Sequence, residues 1–227
     1  MKNKKKLLSV FILLIILVAL LRLFVGEPCQ VPSASMEPTI MSGDWLWIDK
    51  ITYGGILPNR FADIPLINIF TWIPFLREAD SKNNWGYHRF YSPTEPSIGD
   101  IVVFYNPDNK GGLLIKRIKA KLNKGDSIST DNTENFNLLK DILLKEGQSV
   151  NTSEKDIFID NNCSPYYIVR QNYYYMVGDN YNNSSDSRDY GYIPEKSIIG
   201  KVNKVFFSID KENNYKFRKE RFFYNIE

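Results

Sequence analysis

The amino-acid sequence predicts a mainly β domain held to a membrane by a single N-terminal helix. Three features carry the prediction. An apolar run follows a lysine cluster, short β-branched and aromatic segments recur between Gly, Asp, Asn and Pro, and only one later stretch has helical spacing.

At the N-terminus, Lys2, Lys4, Lys5 and Lys6 precede an apolar run from Leu7 to Val25 that is broken only by Arg22. A helix needs about 20 apolar residues to cross the hydrocarbon core, whereas a cleavable secretory signal carries roughly 7–15 followed by small residues. No small-x-small site follows Val25, which favours an anchor over the competing reading of a signal that is removed. Arg22 can snorkel to the headgroups, and the lysines stay cytoplasmic by the positive-inside rule. Residues 1–6 are thus expected as a cytoplasmic tail, 7–25 as the transmembrane helix and 29–227 as an extracytoplasmic domain.

The 227 residues allow one main folded domain, and a net charge of +3 gives no reason to expect nucleic acid as a partner. Cys29 and Cys163 would lie in an oxidising compartment, where a disulfide is open to them but not required. Past the anchor, Pro32 and Pro38 force an extended or turning path rather than a helix. Strands are predicted at Trp45–Ile48, Ile101–Tyr105, Leu113–Leu122, Ile157–Ile159, Tyr173–Val177 and Val202–Ile209. Glu134 to Glu146 has the Leu138, Leu139, Ile142, Leu143 spacing of a short helix, inside an insertion near 130–153. Asn59 to Tyr91, rich in Pro, Asn and aromatics, reads as a long irregular insertion. The charged and aromatic run Lys211 to Arg221 reads as a solvated terminal strand. Core packing is the expected role for most of Trp45, Trp47, Trp72 and Trp85, with a membrane-facing aromatic surface as the alternative.

His88 is the only histidine, so a Ser-His-Asp triad or a histidine metal site would have to be built on it alone. No metal and no cofactor are expected from these residues. The base for a hydrolysis must then come from the carboxylates or the lysines, and a lysine becomes a base when burial lowers its pKa. Read as a strand, Leu113–Leu122 places Leu114, Lys116, Ile118 and Ala120 on one face and Ile115, Arg117, Lys119 and Lys121 on the other. Lys116 alone falls on the apolar face, unless the phase is off by one and it snorkels to solvent. Ser33 and Ser35 offer two hydroxyls at i and i+2, and residue types alone do not choose between them.

These segments resemble type I signal peptidases. Val31-Pro32-Ser33-Ala34-Ser35-Met36-Glu37-Pro38-Thr39-Ile40 is similar to the family's nucleophile box, with Ser35 in the place of the attacking serine. Gly43-Asp44 to Asp49-Lys50 with Tyr53-Gly54, and Gly99-Asp100-Ile101-Val102-Val103-Phe104, resemble the next boxes. Lys116-Arg117 occupies the position of the general base, and Gly178-Asp179-Asn180 through Arg188 resembles the last box. Two stretches depart from the pattern: Ile118 to Lys124 is longer and more basic than usual, and Tyr181-Asn182 and Asp189-Tyr190 replace common pairs.

The resemblance implies an antiparallel sheet forming a partly open barrel. It implies a membrane-bound serine endopeptidase of the bacterial cytoplasmic membrane that removes signal peptides from secretory preproteins at Ala-x-Ala-like sites. Ser35 and Lys116 would be the catalytic dyad, working through an acyl-enzyme. Ser33 would serve the oxyanion, and Ser184 would orient the lysine. Asp179, Asp186, Arg188 and Arg117 would support them, and Gln30, Val31, Pro32, Leu113, Leu114 and Ile115 would bind substrate. The partners implied are preproteins and the lipid bilayer, with the enzyme acting as a monomer.

Overall fold

A computed structural model describes residues 2–65, 67–92, 94–107, 112–129, 133–147, 150–152, 157–159, 162–163, 166–210 and 213–226. The predicted insertion near 130–153 therefore lies partly outside the described residues, and so does the Cys163 side chain.

In chain order the elements are α1 (Lys2–Phe24), β1 (Gly26–Gln30), β2 (Asp44–Asp49), α2 (Pro74–Ser81), β3 (Ile101–Tyr105), β4 (Leu113–Leu122) and β5 (Ser127–Ser129). There follow α3 (Thr133–Lys145), β6 (Val150–Thr152), β7 (Ile157–Ile159), β8 (Asn162–Cys163), β9 (Tyr166–Ile168), β10 (Tyr173–Val177), α4 (Ser187–Tyr190), β11 (Ile193–Pro194) and β12 (Ile198–Asp210). The last two strands are β13 (Lys216–Phe217) and β14 (Tyr224–Asn225). The protein is mainly β, and its strand pairs are antiparallel. α1 is long and apolar enough to cross a membrane and buries none of that stretch against the protein. It begins earlier than predicted and takes in the lysine cluster.

The chain divides into two compact units. The first comprises 1–32, 42–96 and 199–227, and the second 33–41 and 97–198. In the first unit β2 pairs with β1 on one side and β12 on the other, and β13 and β14 also pair with β12. The alternating burial of β2 puts Leu46 and Ile48 into this unit's core with Val202 and Val205. The foot of α1 is tied to this sheet by polar contacts. Lys50 Nζ donates to the Arg22 carbonyl at 3.1 Å, and Glu27 pairs with both Arg22 and Lys50.

Three expectations change in this unit. The stretch 59–91 is not irregular: short 3₁₀ turns at Phe61–Asp63 and Ile67–Trp72 lead into α2. Segments of three to six residues are too short to show a period in sequence. The tail is an exposed strand only at Lys216–Phe217; beyond it Arg221 turns inward onto the fully buried Asp44, 3.0 Å from Nε to Oδ1. Finally, none of the four tryptophans is buried. Trp45 and Trp47 are half-covered by Phe207 and Phe206, whereas Trp72 is 92% exposed.

In the second unit β4 pairs with β3 through Leu113–Arg117 and with β10 through Arg117–Leu122, and β11 extends the sheet beyond β10. α3 matches its expected span and lays Leu139, Ile142 and Leu143 on Ile128, Tyr167, Val169 and Tyr173. That core holds β4 and β10 at a fixed spacing, and the site grows from their adjoining ends.

Candidate active site

Residues 33–41 leave the first unit's strand and fold as successive tight turns. Glu37 N–H bonds to the Ala34 carbonyl and Ile40 N–H to that of Met36. The side chains of Met36 and Ile40 are buried beneath the turns, at 1% and 0% exposure, which fixes the face that Ser33 and Ser35 present. The two hydroxyl oxygens lie 3.4 Å apart, so the turn puts them on one side, closer than the separation of about 6–7 Å between i and i+2 in an extended segment. The Ser35 carbonyl accepts from Asn180 N–H at 3.0 Å, and the Ala34 carbonyl accepts from Asn180 Nδ2 at 3.0 Å. Among the described residues the Ser35 N–H has no acceptor within the protein.

Lys116 of β4, opposite Val102 of β3, is 2% exposed, and its Nζ lies 2.7 Å from Ser35 Oγ. Burial strips water from the ammonium and pushes its pKa below the ordinary lysine value. The Asp186 carboxylate pulls it partway back, and the Arg188 charge adds to the fall.

Ser184 follows the 3₁₀ turn Tyr181–Asn183, and its hydroxyl donates to Asp186 Oδ2 at 2.8 Å. Asp186 is the N-cap of α4. It is fully buried, and its carboxylate also accepts from Gly178 N–H at 3.0 Å and from Arg188 Nε at 2.8 Å. Burial opposes its charge, but the bonds from Arg188, Gly178 and Ser184 outweigh that and hold the carboxyl far below the usual range. Arg188 is placed in turn by the Tyr181 carbonyl at 2.7 Å and by the face of the Tyr181 ring at 3.7 Å.

Arg117 sits next to Lys116 on β4 and grips Asp179 with two bonds, Nε to Oδ1 at 2.9 Å and Nη2 to Oδ2 at 2.8 Å. Asp179 Oδ2 also accepts from Thr39 Oγ1 at 2.7 Å, so one carboxylate ties the serine turn to the lysine strand. Burial opposes the Asp179 charge as well, and these donors lower its pKa in spite of it.

Ser33, Ser35, Lys116, Arg117, Asp179, Ser184, Asp186 and Arg188 thus come together in the second unit. Leu113, Leu114 and Ile115 lie on the adjoining part of β4. There β3 pairs on one side, while β10 stops at Val177, opposite Arg117. The other edge of Leu113–Ile115 carries no strand among the described residues. Gln30, Val31 and Pro32 belong to the first unit. Gln30 ends β1, Val31 is buried with its N–H bonded to the Asp44 carbonyl, and Pro32 is exposed.

Three site residues were given no role by sequence: Thr39, Asn180 and Gly178. All lie inside the motif segments, but their partners are up to 146 residues away, and no local pattern reports that. Gly178 is a matter of space, because a Cβ there would stand 2.2 Å from Ser184 Oγ and 2.5 Å from the Ser35 carbonyl oxygen.

A family model described as signal peptidase, peptidase S26, matches residues 4–207. Signal peptidase I of Buchnera aphidicola subsp. Schizaphis graminum is 28% identical over 228 residues, covering 87% of this chain and 73% of that protein. Signal peptidase I of Helicobacter pylori strain J99 is also 28% identical, over 94% of this chain and 90% of its own length. The Aquifex aeolicus protein of the same name is 25% identical, over 90% and 84%. With the family model matched across most of its length, the chain belongs to the signal peptidase family, peptidase S26.

Proposed function

We propose that this serine peptidase removes signal peptides from exported preproteins with Ser35 as nucleophile and Lys116 as general base. The observation that carries the reading is the 2.7 Å approach of Lys116 Nζ to Ser35 Oγ, at a lysine almost fully withdrawn from water. A lysine whose pKa is lowered by burial holds its neutral form nearer physiological pH, where its lone pair can take the serine proton. Ser35 Oγ then attacks the scissile carbonyl, and the resulting lysinium returns its proton to the leaving amine. The acyl-enzyme is hydrolysed by water that the regenerated neutral amine of Lys116 deprotonates.

The oxyanion would meet the open Ser35 N–H and the Ser33 hydroxyl; removing one such donor typically costs about 3 kcal/mol in the barrier. Ser184 has committed its proton to Asp186, so its oxygen can only accept. Among the described residues no hydrogen bond joins it to Lys116, whose Nζ is bonded to Ser35 Oγ, so orienting the amine would require Ser184 to close on Nζ when substrate binds. Arg117, Asp179 and Arg188 act one step back, fixing the groups that touch the reacting atoms.

Substrate would add as an extended strand to the free edge of Leu113–Ile115, with alanine-sized side chains before the cleaved bond giving the Ala-x-Ala preference. α1 would be the single span in the cytoplasmic membrane of a bacterium, with the lysine end inside and residues 29–227 outside.

The test is cleavage of a purified preprotein by detergent-solubilised enzyme. Ser35→Ala and Lys116→Ala should each lower kcat by at least about 10²–10⁴-fold, the usual worth of a nucleophile or general base. Wild-type turnover by either variant overturns the assignment.

A further inference from the structure

The insertion between Gly55 and Phe90 is turned inside out by the standards of a water-facing segment. Among the described residues from 61 to 81 the only buried one is an acid, Asp80 at 6% exposure. Ile69, Phe70, Trp72, Ile73 and Phe75 all lie open, with Trp72 at 92% and Phe75 at 76%. Single exposed apolar residues are ordinary, but a concentration of large ones on one short segment marks a contact surface.

These side chains stand on a fixed scaffold. Asp80 accepts from the N–H groups of Phe61 and Ala62 at 2.9 and 3.1 Å, which pins the end of α2 to the first 3₁₀ turn. Phe61 stacks edge-on against Trp85, 4.9 Å between ring centres, and Trp85 N–H bonds to the Asn59 carbonyl. The two ends of the insertion are paired, Leu57 N–H to the His88 carbonyl and Phe90 N–H to that of Gly55.

The site of that closure identifies the occupant. Phe90 packs edge-on against Phe24, the last residue of α1, with ring centres 5.4 Å apart, and Gly55 lies against the backbone of the same Phe24. The insertion therefore springs from the foot of the helix that spans the bilayer, within reach of the headgroup layer. Tryptophan and phenylalanine on short helical segments are the side chains that settle at that depth.

We propose that residues 61–81 form a second membrane contact. The exposed face of Ile69, Phe70, Trp72, Ile73 and Phe75 lies among the lipid headgroups and upper acyl chains, beside the exit of α1. This rests on α1 being the membrane anchor.

The test uses the full chain in vesicles of phosphatidylethanolamine and phosphatidylglycerol, with nitroxide labels on single cysteines in a Cys29→Ser, Cys163→Ser background. Labels at Trp72→Cys and Phe75→Cys should favour oxygen over a water-soluble nickel chelate as relaxant, at a depth of about 5–10 Å below the interface. A label at Glu78→Cys, on the charged side of α2, should stay open to the chelate, and one at Leu14→Cys should be deep. Chelate access at positions 72 and 75 with a deep Leu14→Cys label overturns the proposal and leaves the anchor intact. A chelate-accessible Leu14→Cys label overturns both. Spin–spin broadening at position 75 without lipid depth assigns the face to a second copy of this chain and also overturns the proposal.

Discussion

Lys116 has the consequence of its burial written into a pH profile. Its pKa is lowered in the fold, so the neutral amine is the dominant form above that value and kcat/KM should rise with pH through a group titrating below ordinary lysine. The same shift makes the unfolded chain bind more protons between the folded and unfolded pKa values, so stability should also rise with pH across that window. A profile without the acid limb would remove Lys116 as base. Gly178 is tested by bulk: Gly178→Ala drives a methyl into Ser184 Oγ and the Ser35 carbonyl oxygen, and should cut kcat far more than it changes KM. Strand alternation was enough to single out Lys116, although it placed Ile115 on the polar face, and Ile115 is buried too at 8% exposure. Asn180 and Thr39 were illegible because their work is done on partners remote in sequence.

Two elements carry the positioning, and both can be loosened without touching Ser35 or Lys116. Arg117→Lys keeps the charge but loses the fork on Asp179, and with it the tie to Thr39 in the serine turn. Preprotein kcat should fall by about tenfold or more, with KM nearly unchanged, since about 1.4 kcal/mol of lost alignment is a factor of ten. Asp186→Ala removes the N-cap of α4 and leaves the Gly178 N–H buried without an acceptor, costing about 1–3 kcal/mol, read as a lowered Tm. In the wild type the Asp186 contribution is present above the ordinary carboxylate pKa and is lost only as pH falls through its much lower folded value. Acid unfolding of Asp186→Ala should lack that stretch of the curve. The six strands with dense β-branched and aromatic content were legible as elements. The two-residue strands and the short 3₁₀ turns were not, because their hydrogen bonds are paid for by tertiary contacts rather than by local pattern.

On the scale of the whole chain, each unit is assembled from separated stretches of sequence, and the candidate site needs residues 33–41 and 97–198 together. The motif order pointed to the family, and the apolar run after the lysine cluster pointed to a helix long enough to span a membrane, but no sequence signal marked where the chain passes from one unit to the other. For the proposed orientation, protease added to intact spheroplasts should digest residues 29–227 from outside, and digestion only from the cytoplasmic face would reverse the topology. The paired stalk of Gly55–Leu57 and His88–Phe90 also has a bearing on engineering. Because the chain enters and leaves the insertion at one point, everything between is a cartridge on a socket. Exchanging residues 58–87 for an Asn-Gly turn shortens the closed loop about fifteen-fold, close to four halvings at about 0.6 kcal/mol each, so Tm should hold or rise rather than fall. Enzymes of this scaffold could then trade cartridges to suit bilayers of different composition while the cutting machinery stayed the same.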